Sequence, residues 1–488
     1  MSDDTQHTRW SAEGSRKIVY RIVAKGTLIL KTPAHFGNGD KLAIKLKNGE
    51  PANVLELYKD PQDNSPLLPG ASIAGGLRHY LTQRTLGYRT ADTDKISVMK
   101  TLFGEALDED KQTGNQSRLI IYDAYGTDGR VITRDGVKIN GKTRTASDGA
   151  LYQIEMWDVG TKFPLCLELI LYEEDTDKKD AYKQAFATLL KALQDGEIPM
   201  GARKNRGYGQ CVVDNWAVYE YDLAKIDCFL LWVNGKDSTP TPDFLGLADE
   251  YTDKRQLVVL SATFELRDSL MIRAPIIKIN DKEVTPHLTN AFNQSLLTGT
   301  SIAGALRARA EKILNTIGKP INLVQEMFGD DGKDENNQKV RDIKSSRLIV
   351  KEAIIQNGNM DYIQNRVKID RFTGGAYASA LINEQPVFAN NDTLVTIELE
   401  LRIPEDAEIG LLLLLLKDLW TEDLPLGGES SIGRGRLKGK CATITIEGTP
   451  PYQLTDINGS VIANGEQRTK LETYITALNN YHKGANND

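Results

Sequence analysis

Two short stretches of this chain are nearly the same, and they constrain the fold more than any other feature. Residues 67–78 read LLPGASIAGGLR and residues 296–307 read LLTGTSIAGALR. Each is a glycine turn running into a helix. Ser72 and Ser301 are expected to cap the helix start, where a hydroxyl satisfies an orphan N–H. Ile73, Leu77 and Leu81 recur at i, i+4, i+8, as do Ile302, Leu306 and Ala310, which predicts one buried face. Ala74, Gly75, Ala303 and Gly304 permit close approach to a neighbouring surface.

The match extends along the chain in the same order. SRLIIYDA begins at Ser117 and SRLIVKEA at Ser346; both this pair and the helix pair are separated by 229 positions. Residues 137–152, VKINGKTRTASDGALY, pair with residues 367–382, VKIDRFTGGAYASALI. Residues 198–210, IPMGARKNRGYGQ, pair with residues 424–436, LPLGGESSIGRGR. Chance similarity does not preserve order and spacing, so the chain carries a duplicated domain. Its 488 residues also exceed what one core normally organises.

The expected division is a tail over 1–15, a first repeat over 16–233, a linker over 234–255, a second repeat over 256–447 and an extension over 448–488. Within each repeat, strands with two interposed helices predict a ferredoxin-like β-α-β-β-α-β unit, hence an α+β fold of two tandem domains with inserted hairpins and loops. Residues 32–40 read as a glycine-rich loop, 41–65 as a polar excursion, and 131–151 as a protruding hairpin. Residues 466–482 predict an amphipathic helix docked on a neighbouring subunit or on its own domain.

Composition narrows class and compartment. No apolar stretch opens the chain, so no secretory signal or membrane association is expected. Four scattered cysteines without a C-x-x-C pair fit a reduced cytoplasm and no zinc site. The net charge of −7 argues against a basic coat for naked duplex DNA, although local basic grooves remain compatible with it.

Those grooves are sought at the glycine-rich loops, 201–209 and 427–435. Glycine allows positive φ, so successive N–H groups can turn toward one anion. Arg203, Lys204 and Arg206 in one loop, and Arg434 and Arg436 in the other, add charge suited to phosphates. The alternative is a tight turn with solvated cations. Arg78 and Arg307 either reach phosphate or pair with an acidic neighbour. In the hairpins, Arg144, Arg371 and Phe372 have the basic and flat character that RNA readers use for backbone pairing and base stacking.

A unit with G-x-G between its last helix and last strand resembles the RAMP superfamily of CRISPR-associated proteins. PGASIAGGLR, the loop GARKNRGYGQ, the H-x-G at residues 35–37 and especially VKIDRFTGGAYASALINEQPVF resemble motifs of the backbone subunits of type III effector complexes. The double repeat is similar to fused subunits of the type III-D branch. Three motifs depart from the pattern: residues 271–275 read MIRAP where the first repeat has HFGNG, Glu429 replaces a basic residue, and the first hairpin lacks I-D-R-x-T-G.

The resemblance implies a subunit that binds guide RNA beside other effector subunits, holds its duplex with complementary target RNA, and cleaves the target as a metal-dependent endoribonuclease. It implies a catalytic aspartate between the first strand and the small-residue helix, with Mg or Mn as the divalent ion. Asp40 leads, ahead of Glu56 and Asp60; in the second repeat the candidates are Asp268 and Asp281. Asp40 and Asp268 are the expected metal ligands. Ser72, Ser301 and His35 join the RNA-binding set, although a histidine after a strand more often packs. The rivals are a non-catalytic scaffold and a metal-independent enzyme that processes the guide.

Overall fold

The computed structural model of the chain describes residues 17–45, 51–88, 97–104, 116–139, 146–330, 344–457, 460–463 and 465–482. The first repeat is built on a four-stranded antiparallel sheet. Its order is Cys211–Asp222, Ile18–Leu30, Lys162–Tyr172, Leu119–Ile121. In sequence terms this is 4-1-3-2, the order of a ferredoxin-like unit. The second repeat repeats it with Leu437–Ile446, Leu257–Leu266, Leu394–Arg402 and the pair Leu348–Val350 and Ala353–Gln356. The alternation of Leu394–Arg402, LVTIELELR, puts Val395, Ile397, Leu399 and Leu401 inside and the polar residues outward. The chain is therefore two tandem ferredoxin-like domains.

Helices Gly70–Leu86 and Lys179–Gln194 cover the first sheet, and Gly299–Thr316 and Asp406–Trp420 cover the second. The predicted faces are the buried ones: Ile73, Leu77 and Leu81 in one, Ile302, Leu306 and Ala310 in the other. The caps differ from expectation. The first helix starts at Gly70, two residues before Ser72, and the side chain of its N-cap Pro69 has no hydrogen-bond acceptor. Asp123 takes that role from across the fold, accepting from the Gly70 N–H at 2.6 Å. In the second helix the cap is Thr298, whose hydroxyl accepts from the Ser301 N–H. Both serines thus lie inside the first turn.

The stretch read as loop and polar excursion is ordered differently. Gly37–Lys45 and Pro51–Leu57 form a hairpin. It joins the hairpin Val131–Ile139/Ala146–Trp157 in a separate four-stranded sheet, through parallel pairing of Leu55 with Ile154. The second repeat builds the same sheet from Ile277–Ile279, Lys282–Pro286, Ala376–Gln385 and Gln364–Ile369.

The segments flanking the repeats also pack. Phe244 and Ala248, from the linker, are buried in the first core. Tyr452–Ile457 and Ser460–Ala463 extend the second sheet, and helix Gly465–Asn479 buries Leu471 and Leu478 in its core. Among the described residues no helix is long and apolar enough to cross a membrane.

One buried polar residue makes the second domain acid-sensitive. His287 is 1 % exposed; its Nδ1 accepts from the Ile272 N–H at 3.1 Å and its Nε2 donates to the Leu296 carbonyl at 2.9 Å. Burial pushes the imidazole from 6.5 down to about 4. Between those values the unfolded chain binds a proton that the folded chain does not, so stability falls as pH falls. The expected loss reaches about 3 kcal/mol at pH 4. Imidazole NMR titration checks it: a His287 signal that protonates near pH 6.5 in the folded protein refutes this.

Candidate nucleic-acid interface

The repeated blocks converge on one cleft of about 740 Å³ in the first domain. Its walls are the hairpin base with Asp40 and Glu56, the helix face with Ser72, Gly75, Gly76 and His79, and the glycine loop with Gly201, Ala202 and Lys204. A ladder irregularity places the two carboxylates. Lys41 pairs with Leu55 and Gly37 with Leu57, so Asn38, Gly39 and Asp40 stand opposite the single residue Glu56. Asp40 is exposed, and its N–H donates to Asn38 Oδ1 at 2.8 Å.

His35 forms the floor. It is 6 % exposed, its Nδ1–H donates to the Glu155 carbonyl at 2.7 Å, and its own carbonyl accepts from the Ala202 N–H at 3.0 Å. It is a strut between hairpin and loop. His79 was missed by motif reading. It shares the helix face of Ser72, Gly75 and Gly76 by i, i+3, i+4, i+7 spacing, which is the signal that could have found it. Partial desolvation, with the Lys204 and Arg402 charges nearby, holds its imidazole below the ordinary value. Gln83 and His79 share a hydrogen bond at 2.6 Å. Burial, then Arg402, likewise lowers the Lys204 ammonium.

The other basic candidates are distributed. Arg78 is exposed, with no ion-pair partner among the described residues. Arg203 stacks on the Tyr152 ring, 4.3 Å from its centroid, and donates to its hydroxyl. Arg307 pairs with Glu311 at 3.3 Å, the acidic-neighbour alternative. Arg206 leaves the cleft for the second domain, donating to the Phe328 carbonyl at 3.3 Å. Arg436 donates to the Glu422 carbonyl at 2.6 Å.

Arg434 departs most from a phosphate-facing role. It is 3 % exposed and donates to Glu384, Glu429 and Gln364. Arg273 and Arg366 bind the same two glutamates. Three guanidiniums and two carboxylates thus join loop and hairpin in the second domain, where the first domain has its cleft lining. Burial raises the Glu384 carboxyl, but hydrogen bonds from Arg273 and Arg366 outweigh it and hold the group below the usual range.

Asp268 and Asp281 do not come together. Asp268 is exposed in a turn after strand Leu257–Leu266 with φ 46°, and Asp281 is exposed with φ 60° in the turn between Ile277–Ile279 and Lys282–Pro286. The second hairpin presents Phe372 and Arg371 at its tip. Asp370 Oδ1 accepts from the Phe372 N–H at 2.8 Å, and Phe372 is 99 % exposed. Lys368 lies 4.9 Å from the Tyr377 ring centroid on the same hairpin. Arg144 lies outside the described residues.

The RAMP superfamily model matches this sequence twice, over residues 27–212 and 263–438, once per ferredoxin-like domain. The chain belongs to the RAMP superfamily. A curated relative is the CRISPR system Cms endoribonuclease Csm3 of Streptococcus thermophilus. It is 27 % identical over 200 residues, covering 39 % of this chain and 86 % of that protein. The relative thus spans about one RAMP domain of this two-domain chain. In RAMP terms, the cleft lies between the glycine loop, the small-residue helix and the inserted hairpin of the first copy.

No group of three or more His, Cys, Asp or Glu residues forms a metal cage among the described residues. The Asp40–Glu56 pair does fit an ion that takes one or two carboxylates and completes its shell with water and phosphate oxygens, as Mg²⁺ does. Asp268 stands in its own turn, outside the cleft that Asp40 and Glu56 line together.

Proposed function

We propose that this chain is a guide-RNA-binding backbone subunit of a type III CRISPR effector, and that its first domain cleaves target RNA paired to the guide. The observation that carries the reading is the cleft where Asp40, Glu56, His79 and Lys204 meet, in a RAMP domain of a chain that resembles a named endoribonuclease over about one domain's length. RNA brings its own nucleophile. The 2′-oxygen gives up its proton and attacks the adjacent phosphorus; the 2′-oxygen–phosphorus bond forms, the 5′-oxygen–phosphorus bond breaks, and the products are a 2′,3′-cyclic phosphate and a 5′-hydroxyl whose proton comes from solvent water.

The chain's part is alignment, proton handling and charge stabilisation. Lys204 offsets charge on the phosphorane. His79, held neutral, accepts the 2′-proton in this scheme, with Gln83 orienting its ring. Asp40 and Glu56 would hold a divalent ion, which supplies further stabilisation of phosphate charge. His35 keeps loop and hairpin at fixed spacing.

The second domain binds RNA without cutting in this reading, because its glycine loop and hairpin are tied by the Glu384 cluster and its acids stand in separate turns. Its contribution is the Phe372 tip, free to stack on an unpaired base. Replacing Phe372 with alanine is expected to weaken duplex binding by about 1–3 kcal/mol, measured by filter binding at fixed salt.

The founding test is to isolate the protein from its native cell and sequence the RNA that accompanies it. Short RNAs with a common repeat-derived end and varied spacers support the guide-binding reading. Random cellular RNA, or none, overturns it. Cleavage of a repeat hairpin in EDTA would instead favour the guide-processing alternative.

A further inference from the structure

The base of the first hairpin carries a side-chain amide that the cleavage scheme does not use. Asn38 and Gly39 lie between Gly37 and Lys41, where the register with strand Pro51–Leu57 shifts, and Asp40 follows them directly. In an Asn-Gly pair the asparagine side chain is unusually open to attack by the next main-chain nitrogen, because glycine puts no Cβ in the way. The pair occurs seven times in the chain, and three lie wholly among the described residues: 38–39, 234–235 and 357–358. Their side-chain hydrogen bonds divide them.

At Asn38 the amide accepts. Its Oδ1 takes the Asp40 N–H at 2.8 Å, and a main-chain donor fixes that end of the amide as oxygen. Asn38, Gly39 and Asp40 are all exposed, and a Cβ on Gly39 would meet nothing within 4 Å among the described residues. At the other two pairs the amide donates. Asn234 Nδ2 donates to the Leu230 carbonyl at 2.7 Å, and Asn357 Nδ2 to the Asp392 carbonyl at 3.2 Å. Gly358 is also crowded: a Cβ there would lie 2.3 Å from Val387 Cγ1.

The direction of that hydrogen bond matters to the carbon between. Donation from Nδ2 pushes electron density into the amide and makes Cγ less electrophilic. A donor on Oδ1 draws density away, and it stands where negative charge gathers when a nucleophile adds to Cγ, as an oxyanion-hole N–H does. We propose that Asn38 is a self-deamidation site: the Gly39 nitrogen closes on its Cγ, and the products change backbone and charge beside Asp40. Water or hydroxide takes the Gly39 N–H proton as the N–Cγ bond forms. The Cγ–Nδ2 bond breaks, and Nδ2 leaves as ammonia with a proton from water. Water then opens the five-membered imide.

Breaking the new N–Cγ bond leaves an aspartate at position 38. Breaking the original main-chain bond instead leaves an isoaspartate, whose chain runs through the side chain and is one methylene longer. Both products add a negative charge at the cleft wall that Gly37, Gly39 and Asp40 line. The longer backbone also displaces Asp40, and a misplacement of about 1 Å costs on the order of 100-fold in rate. The cleft therefore ages. That loss of cutting rests on the role given to Asp40 under the proposed function, whereas the deamidation rests on the Asn38 turn alone.

Peptide mapping by mass spectrometry tests this on the full chain, held at pH 8 in native buffer and in urea. In urea the three pairs should convert at similar rates. In native buffer Asn38 should convert about tenfold or more faster than Asn234 and Asn357. Asn38→Gln, which would have to close a six-membered ring, should keep its mass at that peptide. Cleavage of guide-paired RNA by aged wild type should fall in step with isoaspartate at position 38, and aged Asn38→Gln should cut as it did when fresh. Two results overturn the inference: a native ratio of rates no larger than the ratio in urea, or protein converted to isoaspartate at position 38 that cuts as fast as fresh protein. Fresh wild type that does not cut at all fails the cleavage reading instead, and the mass measurement then decides the deamidation by itself.

Discussion

Replacing Asp40 with asparagine is expected to slow cleavage of a guide-paired RNA by about 10²–10⁴-fold, the usual cost of removing one acid–base or charge-positioning group. Guide binding should stay within about threefold, because Asp40 is exposed at the hairpin base and no ion pair involving it is seen among the described residues. Glu56→Gln should act in the same direction and, combined with Asp40→Asn, add little, since both residues line the one cleft and serve one site. Single-turnover cleavage with purified protein, guide and target measures this. Asp268→Asn and Asp281→Asn are the controls and should leave the products unchanged. Full activity in Asp40→Asn would sink the first-domain cleft as the cutting site and leave the scaffold reading in its place.

Replacing Glu384 with leucine is expected to destabilise the second domain by about 3–5 kcal/mol. Glu384 is 1 % exposed and receives Arg273 at 3.0 Å and Arg434 at 3.1 Å, with Arg366 closer still. Its loss leaves Arg434, itself 3 % exposed, with Glu429 and Gln364 as its remaining partners. Pairing the change with Arg434→Met should recover part of the loss, because two apolar groups cost less there than a buried guanidinium that has lost one of its two carboxylates. The carboxyl is held below its ordinary 4.5. A depressed carboxyl stabilises the fold above its unfolded value, and that contribution disappears as pH falls through the folded value. Wild type should therefore lose this stabilisation below about pH 4.5, and Glu384→Leu should show less acid dependence there. Urea denaturation at pH 7 and pH 4 tests both points; a cost under about 1 kcal/mol at pH 7 refutes the cluster's structural role.

The duplication, the ferredoxin-like units and the buried helix faces were legible in the sequence. Repeats preserve order, and the 3.6-residue and 2-residue periods of Ile73–Leu77–Leu81 and Val395–Ile397–Leu399 are set by local geometry. Asp40, His35, Ser72 and Lys204 were also legible as site candidates, and they line one cleft. Local signals misled at the caps. A serine next to a helix start looks like a cap, but the actual partner of Gly70 is Asp123, 53 positions away in sequence. His79 was overlooked because no motif contains it, although its helix face was predictable.

What the sequence determined by itself was therefore everything governed by short-range periodicity and by the register between two copies. Tertiary structure alone decided which charges are free. Arg203, Arg206, Arg434 and Lys204 look alike in two glycine-rich loops, yet one stacks on Tyr152, one enters the domain joint, one is buried among Glu384 and Glu429, and one lines the cleft. A guanidinium's role is set by the carboxylates, carbonyls and rings within a few ångströms of it. Those neighbours come from strands and hairpins far away in sequence, and only folding brings them into place.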